Sequence, residues 1–267
     1  MTGTIPTEMG LLTSLHTLWL NWNGFSGHIP SELGQATQMT RFGLQHNLLS
    51  GSIPWELARF VNLNDLYLSS NMISGTIPSE TGSMTSLRGL SLGRNAFFGQ
   101  VPTELGLLSK LASLDLEVNQ LSSPIPSELG MLSELWDLLL NDNMISGKIP
   151  SELGLLNSAR TMRLNGNMLS GKIPSSLALL VTLQNQSDVD HDLPDLVVGE
   201  FVEFEAPHVL EVLGLSDNPL LTGSIPEMLC LMNTACFVPF WGPCVFEFNC
   251  TDILCGCNCT CSTGLNI

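Results

Sequence analysis

The sequence is poor in aromatic and basic residues, and both shortages narrow what the protein can do. Only 6% of its 267 residues are aromatic, and Tyr67 is the single tyrosine. Lysine and arginine together number nine against 25 aspartates and glutamates, and no lysine or arginine follows Lys172. Nucleic acids and anionic membrane surfaces are recognised by clusters of basic side chains. The composition therefore argues against both as partners, whereas cationic partners remain open for the acidic C-terminal third.

Long uninterrupted apolar runs are also missing, although 44% of the residues are hydrophobic. A helix that crosses a bilayer needs about 20 consecutive apolar residues. The most apolar stretch, residues 228–248, is broken by Pro239, Gly242 and Pro243. No membrane span is predicted in this chain, and the core is expected to consist mainly of leucine, isoleucine and methionine.

Cysteine does not occur before position 230, and all eight cysteines then crowd into one segment. They are Cys230, Cys236, Cys244, Cys250, Cys255, Cys257, Cys259 and Cys261. Such a concentration indicates a disulfide-stapled module in a secreted chain, or a metal site in a cytosolic one. The last four alternate along the chain, and cysteines two apart bridge each other poorly. Each is therefore expected to pair with one of the first four, in a connectivity that the spacing leaves open.

Three glycosylation sequons, at Asn185, Asn249 and Asn258, favour disulfides over a thiolate metal cluster. Both features predict a secreted protein or one on the extracellular face of the plasma membrane.

A repeat of 24 residues organises most of the chain. Asparagines recur in this step at Asn23, Asn47, Asn71, Asn95, Asn119, Asn143 and Asn167, and a further repeat contains Asn218. Prolines at 30, 54, 78, 102, 126, 150 and 174 follow the same step, and so do most of the intervening glycines, with Ser123 as the one interruption. A fixed period of this length is typical of a solenoid.

Within one unit, Leu138 and Leu140 alternate with Leu139 and Asn141, which predicts a short strand with one buried face. Asn143 is expected to turn inward and bond the backbone of adjacent turns, because buried amides need partners. The asparagines of all eight repeats would then form a ladder. A tight bend at glycine and a short helical turn after proline complete the unit.

The string Leu-Ser-Gly-x-Ile-Pro-x-x-Leu-Gly resembles the plant-specific class of leucine-rich repeat. That class is found in receptor-like kinase ectodomains, receptor-like proteins and polygalacturonase-inhibiting proteins. The resemblance implies an α/β repeat fold, a right-handed solenoid with a parallel sheet on its concave face, closed here by a disulfide-rich cap. Plant-type arrays usually end in a simple cysteine pair, so the eight cysteines depart from that pattern.

The register divides the chain into four parts. Residues 1–183 are repeats, 184–210 an irregular acidic segment, 211–229 the last repeat and 230–267 the cysteine-rich cap. The acidic segment is interpreted as a degenerate repeat with a solvated loop, and a short island that helps to bind ligand is the alternative. Met1 falls in the middle of a unit without the usual N-terminal cap, which suggests a piece of a longer protein.

The outward positions of the predicted strands contain a high share of residues that dominate binding energies. The candidate ligand-binding residues on the concave face are His16, Trp19, Trp22, Arg41, His46, Tyr67, Arg88, Arg94, Trp136, Arg160 and Arg163. Aromatic side chains suit sugar rings or hydrophobic anchors, and arginines suit carboxylates. The expected partner is a protein, peptide or glycan, with a co-receptor as a further possibility, and ordinary surface scatter is the competing interpretation.

Catalytic motifs are absent from the sequence, or they occur where the surrounding residues do not match what the motif requires. Gly89 to Gly93 spells a hydrolase elbow, but Ser91 lies in a predicted strand. Asp188, Asp190 and Asp192 resemble the start of a calcium loop, but Leu193 occupies the position that needs glycine, so a solvated acidic loop is preferred.

No enzyme activity and no cofactor are predicted. The leading hypothesis is the extracellular ligand-binding ectodomain of a receptor-like protein or kinase. A secreted enzyme inhibitor and a structural cell-wall or adhesion protein are the alternatives.

Overall fold

The computed structural model describes residues 1–182, 210, 212–222 and 245–247, and within them the chain winds as a solenoid of stacked turns. Each turn contributes one strand to a main sheet, one strand to a second sheet and one short 3-10 helix. The leucine-rich-repeat fold predicted from the sequence is thereby confirmed.

Short strands of two to four residues alternate between the two sheets along the chain. They are β1 (Thr2–Thr4), β2 (Thr17–Trp19), β3 (Gly24–Gly27), β4 (Arg41–Gly43), β5 (Leu48–Gly51), β6 (Asp65–Tyr67), β7 (Met72–Gly75), β8 (Gly89–Ser91), β9 (Ala96–Gly99), β10 (Ser113–Asp115), β11 (Gln120–Leu121), β12 (Asp137–Leu139), β13 (Ser146–Lys148), β14 (Thr161–Arg163), β15 (Met168–Gly171), β16 (Val212–Gly214), β17 (Leu220–Leu221) and β18 (Val245–Glu247).

The main sheet has nine parallel strands, in the order β2, β4, β6, β8, β10, β12, β14, β16 and β18. Its register repeats the sequence period, since Thr17 pairs with Arg41 and Arg41 with Asp65. The step changes between β14 and β16, where Thr161 pairs with Val212, and again between β16 and β18, where Val212 pairs with Val245. The strand that begins at Val212 therefore takes the place of the next repeat, directly beside β14.

The second sheet lies on the other side of the core and is interrupted. Its strands form a group of six, β1, β3, β5, β7, β9 and β11, and a group of three, β13, β15 and β17. The interruption coincides with Ser123 and Pro124. The neighbouring repeats have Gly99 and Gly147 here with φ of +81° and +78°, a conformation that side chains disfavour. Serine replaces that glycine and Pro124 lacks an N–H, so strand pairing stops.

Among the residues that the structure describes, eight 3-10 helices form the convex side of the solenoid. They span Thr7–Leu11, Ser31–Gln35, Trp55–Arg59, Ser79–Ser83, Thr103–Leu107, Ser127–Met131, Ser151–Leu155 and Ser175–Ala178, and α-helix α1 (Leu179–Thr182) follows the last. Proline stands immediately before each of them, with φ between −62° and −66°. A fixed φ in this range prepares the chain for a helical turn.

The core between the sheets is mainly apolar, and most of the buried polar residues among the described ones are the repeated asparagines. Leu138 and Leu140 are fully buried, as the alternation predicts. The side chain of Asn143 donates to the carbonyls of Leu116, Leu140 and Asn141 at 2.9–3.2 Å. Its Oδ1 accepts the N–H of Leu121 at 3.0 Å. The same pattern recurs along the described repeats and joins each turn to the one before it.

Candidate functional site

The outward side chains of the main sheet are presented in two ways. Alternate residues of each strand point away from the core, and the residue before each ladder asparagine adopts a left-handed turn. That turn has φ between 50° and 56° at Trp22, His46, Ser70, Arg94, Val118, Asp142 and Asp217. Non-glycine residues hold this conformation only where their surroundings enforce it. Here backbone bonds do so, for example from the N–H of His46 to the carbonyl of Ser69 at 3.0 Å.

Four of the predicted residues form two ring pairs, Trp19 with Tyr67 and Trp22 with His46, which are together called the aromatic cluster. The rings of Trp22 and His46 stack with centroids 3.6 Å apart and an angle of 14°. The rings of Trp19 and Tyr67 lie 5.9 Å apart. Trp19 lies flat across the next strand because Gly43 has no side chain, and a Cβ there would overlap the ring. Trp22 is 71% exposed, so the cluster is available to a ligand.

Polar groups border the aromatic cluster. The Tyr67 hydroxyl donates to Asp65 at 3.0 Å, and Arg41 approaches the same carboxylate at 3.6 Å. Burial, followed by the negative charge of Asp65 and its hydrogen bond, raises the pKa of Tyr67 from 10.0 to about 12, and the charge of Arg41 opposes that rise. Asp65 therefore orients the phenol and keeps it neutral beside the tryptophan.

This arrangement can be checked directly, because Tyr67 is the single tyrosine. In the folded protein its phenol is expected to ionise with a pKa of about 12 instead of the ordinary 10.0. Asp65→Asn is expected to lower that value, since it removes the neighbouring negative charge. Alkaline titration of the phenolate absorbance, with circular dichroism to monitor folding, measures both. Ionisation near 10.0 in the folded protein would show that Tyr67 is not packed as described.

A second group of polar side chains, the charged cluster, occupies the centre of the main sheet and consists of Arg94, Asp115, Glu117, Asn141 and Asp142. Arg94 Nε donates to Glu117 Oε1 at 2.9 Å. Asp115 accepts from the Ser91 hydroxyl at 2.7 Å and from the Glu117 N–H at 3.1 Å. Burial raises the pKa of Asp115, and the two hydrogen bonds oppose that rise.

Asn141 departs from the simple alternation of the strand. It stands in an outward column, but it is only 6% exposed. Its Nδ2 donates to Glu117 Oε2 at 3.3 Å and to Asp142 Oδ2 at 2.8 Å. The amide is therefore held between two carboxylates and covered by them, which a pattern of alternate residues does not reveal.

The remaining predicted residues lie apart from the aromatic cluster. Arg160 is placed over the Trp136 ring, 5.7 Å from its centroid, and Arg163 is exposed at the end of β14. Five strand steps separate β2 from β12, which corresponds to about 24 Å along the sheet. Arg88 is exposed between the aromatic cluster and the Trp136–Arg160 pair, and His16 is exposed immediately before β2. The candidate site is thus an elongated surface with an aromatic end and a charged remainder.

Two features of the surface escaped the sequence analysis. Trp55 is 53% exposed on the convex side, where Arg59 lies 5.5 Å from its ring centroid. Glycines also seat the aromatic cluster: Gly43 accommodates Trp19, and Gly89 accommodates Tyr67, whose hydroxyl a Cβ would approach to 2.7 Å. The sequence did contain a signal for the contact of Trp19 with Gly43, because the two residues are one repeat period apart in the same column.

Several predictions fall on residues that the structure does not describe. They are the eight cysteines of the cap, the sequons at Asn185, Asn249 and Asn258, and the acidic loop with Asp188, Asp190 and Asp192. Among the described residues, no group of three His, Cys, Asp or Glu side chains is arranged to hold a metal ion. Within the same part of the chain, no helix has the length and apolar character needed to cross a membrane.

Comparison with known families agrees with this architecture. The family model described as Leucine Rich Repeat matches residues 14–36, 62–84 and 209–232. The third match covers the repeat that resumes after the irregular acidic segment. A search of curated proteins gives no match.

Solved structures match over most of the chain. The ectodomain of the Arabidopsis thaliana membrane receptor kinase GASSHO1/SCHENGEN3, in complex with CASPARIAN STRIP INTEGRITY FACTOR 2, has a TM-score of 0.75 and 28% identity, over 92% of this chain and 25% of that one. The ectodomain of the Arabidopsis receptor kinase HAESA, in complex with an IDA peptide hormone ligand, has a TM-score of 0.73 and 28% identity, over 94% and 36%.

A plant ice-binding protein matches with a TM-score of 0.51 and 31% identity, over 65% of this chain and 63% of that one. The chain therefore spans about a quarter to a third of the two receptor ectodomains and somewhat under two thirds of the ice-binding protein. Proteins with different ligands share this scaffold, so the ligand has to be inferred from the exposed face.

Proposed function

We propose that the concave sheet of this leucine-rich-repeat solenoid binds an extended peptide outside the cell, as part of a receptor-like protein. The aromatic cluster is the observation that supports this most directly. Trp19 and Trp22 are 41% and 71% exposed, so core packing does not account for them. Exposed tryptophan, tyrosine and arginine on one continuous surface are the residues that most often anchor a bound protein or peptide.

The charges along the main sheet favour a peptide over an acidic polysaccharide. Arg88 and Arg94 follow the aromatic cluster, a group of carboxylates that includes Asp115 and Asp142 comes next, and Arg163 lies beyond it. A uniformly anionic glycan would meet those carboxylates at the centre of the face, and like charges there oppose binding. A peptide carries apolar, acidic and basic groups in one chain and can match all three zones.

The likeness to the two receptor ectodomains also supports a peptide ligand, since one of them is in complex with a peptide hormone. The extracellular location rests on this likeness and on the sequons and cysteines of the sequence. A membrane anchor, a kinase and a co-receptor belong to the proposal only by analogy, because the chain spans 25% and 36% of those ectodomains. The chain itself is proposed to be a binding protein and not an enzyme.

The alternatives make different demands on the same surface. A secreted enzyme inhibitor, resembling polygalacturonase-inhibiting proteins, would dock a folded enzyme and gain little from a short linear peptide. A structural wall or adhesion protein would bind weakly at many points and would lack a hot spot. Both alternatives predict that no single aromatic pair controls the affinity for a linear ligand.

Selection of linear peptides from a phage-displayed library on the purified chain tests the proposal. The selected peptides are expected to lose about tenfold or more of their affinity for the double variant Trp19→Ala/Trp22→Ala, because hot-spot aromatics each contribute at least that much. Fluorescence anisotropy of the labelled peptides, measured against wild type and variant, gives the ratio.

Trp55→Ala is the matched control, since Trp55 is equally a half-exposed tryptophan but lies on the convex side. It is expected to leave the affinity unchanged. Peptides whose affinity is insensitive to the Trp19/Trp22 variant, or equally sensitive to Trp55→Ala, would contradict a concave aromatic site.

A further inference from the structure

The convex side carries an apolar row that the proposed function does not use. The last residue of three successive 3-10 helices is Leu107, Met131 and Leu155, and these side chains are 59%, 65% and 56% exposed. We define them as the apolar ridge, and Leu179 extends it by one further turn. The corresponding residues of the preceding repeats are Gln35, Arg59 and Ser83. The position therefore tolerates polar side chains, and stability of the fold does not require leucine or methionine there.

The ridge is continuous because successive turns nest closely. Gly106 packs so near to the next turn that a Cβ on it would lie 2.6 Å from the backbone oxygen of Glu128. Gly130 and Gly154 make the equivalent approach to Glu152 and Ser176. Singly scattered apolar residues are normal on a protein surface, whereas contiguous ones mark interaction sites. The three ridge residues end helices that pack directly against one another, so we count them as contiguous apolar residues.

A row of carboxylates runs beside the ridge. Each of the three helices has a glutamate in its first turn, at Glu104, Glu128 and Glu152. These precede the ridge residues by three positions, and side chains three apart are eclipsed in a 3-10 helix. Each ridge residue therefore projects from the same side of its turn as a glutamate. The surface combines an apolar line with a parallel acidic line.

We propose that this surface, the apolar ridge with Glu104, Glu128 and Glu152, docks a basic amphipathic segment of a partner protein. The partner's apolar side chains would cover the ridge, and its lysines or arginines would face the glutamates. Complementary charge of this kind directs encounter and orientation. Because the site lies on the opposite side of the solenoid from the aromatic cluster, both can be occupied together.

Charge decides between a basic partner and a second copy of the chain. Pairing two ridges would bring two sets of the three glutamates together, in a protein whose net charge is −16. Lys110 and Lys148 are the lysines close in sequence to the ridge helices, and two lysines do not offset the three glutamates. Like charges brought together at an interface oppose association. A cationic partner relieves the same repulsion.

The probe for this site is a synthetic helical peptide with leucines on one face and lysines flanking them, compared with the same peptide carrying glutamate in place of lysine. Binding to the full chain is measured by fluorescence anisotropy. The lysine peptide is expected to bind, and the triple variant Leu107→Ser/Met131→Ser/Leu155→Ser to weaken it about tenfold or more. The variant Glu104→Gln/Glu128→Gln/Glu152→Gln is expected to weaken binding and to reduce its dependence on salt.

Two controls separate this site from other surfaces. Leu11→Ser changes a residue of the same register that is 71% exposed in the first repeat, outside the ridge, and is expected to have no effect. The Trp19→Ala/Trp22→Ala variant is expected to bind the lysine peptide normally, so failure here and failure of the concave site are distinguishable.

The exposed positions should accept serine without loss of folding, which circular dichroism and the thermal midpoint verify. Unchanged binding by the triple serine variant, or equal binding of the glutamate peptide, would overturn the proposal. A dimer of wild type in light scattering that the triple serine variant loses would overturn it as well, in favour of a second copy of the chain.

Discussion

Replacing Asn143 by alanine is expected to destabilise the folded protein by about 3–5 kcal/mol, because several buried backbone groups lose their partners at once. The Asn143 side chain donates to the carbonyls of Leu116, Leu140 and Asn141 and accepts from the N–H of Leu121. The residue is 9% exposed, so water cannot replace these bonds without opening the stack. Each orphaned buried group costs about 1–3 kcal/mol.

Urea unfolding followed by circular dichroism measures this loss as a lower midpoint with an unchanged slope. Asn157→Ala is the control, because Asn157 is an exposed asparagine outside the ladder. Its substitution is expected to change stability by no more than about 0.5 kcal/mol. A loss of under about 1 kcal/mol for Asn143→Ala would mean that the ladder does not hold the turns together.

Gly106→Ala is expected to cost about 2–3 kcal/mol, in contrast to the gain that glycine-to-alanine changes usually bring in helices. The ordinary gain is about 1 kcal/mol, from helix propensity and from a less flexible unfolded chain. Here the added Cβ would lie 2.6 Å from the Glu128 oxygen and 2.7 Å from the Glu128 Cβ. Because the closest of these atoms belongs to backbone, the overlap can be relieved only by separating two turns of the solenoid.

The sign of the effect makes this prediction decisive. Thr103→Ala, at the exposed first residue of the same 3-10 helix, is expected to stay within about 0.5 kcal/mol of wild type. Thermal unfolding of wild type and both variants provides the comparison. Stabilisation by Gly106→Ala would show that the convex turns are less closely nested than the structure indicates.

For the candidate site, the sequence predicted which residues share an outward column of the repeat, but not which of their side chains are in contact. A period of 24 residues places Trp19, Tyr67 and Arg163 in one outward column, and the structure finds them on the main sheet. The stacking of Trp22 on His46 depends on the left-handed turn that both residues occupy. That the cluster and the Trp136–Arg160 pair lie on separate parts of the face depends on how many strands intervene.

The interruption of the second sheet is another feature that could be predicted only in part from the sequence. Ser123 interrupts the glycine column visibly in the sequence. That this divides the outer strands into groups of six and three follows only from backbone pairing, because serine avoids the positive φ that its neighbours use.

The sequence by itself determined the solenoid, its period, its buried leucines and the apolar character of its core. It could do so because each turn of a repeat protein contacts only its neighbours, so local periodicity carries nearly all of the fold. Tertiary structure alone decided which outward side chains meet, that Asn141 is covered by carboxylates, and that Leu107, Met131 and Leu155 are exposed. Those facts depend on contacts between turns, where glycine seats, eclipsed side chains and charge pairing act across 22 to 24 residues of sequence.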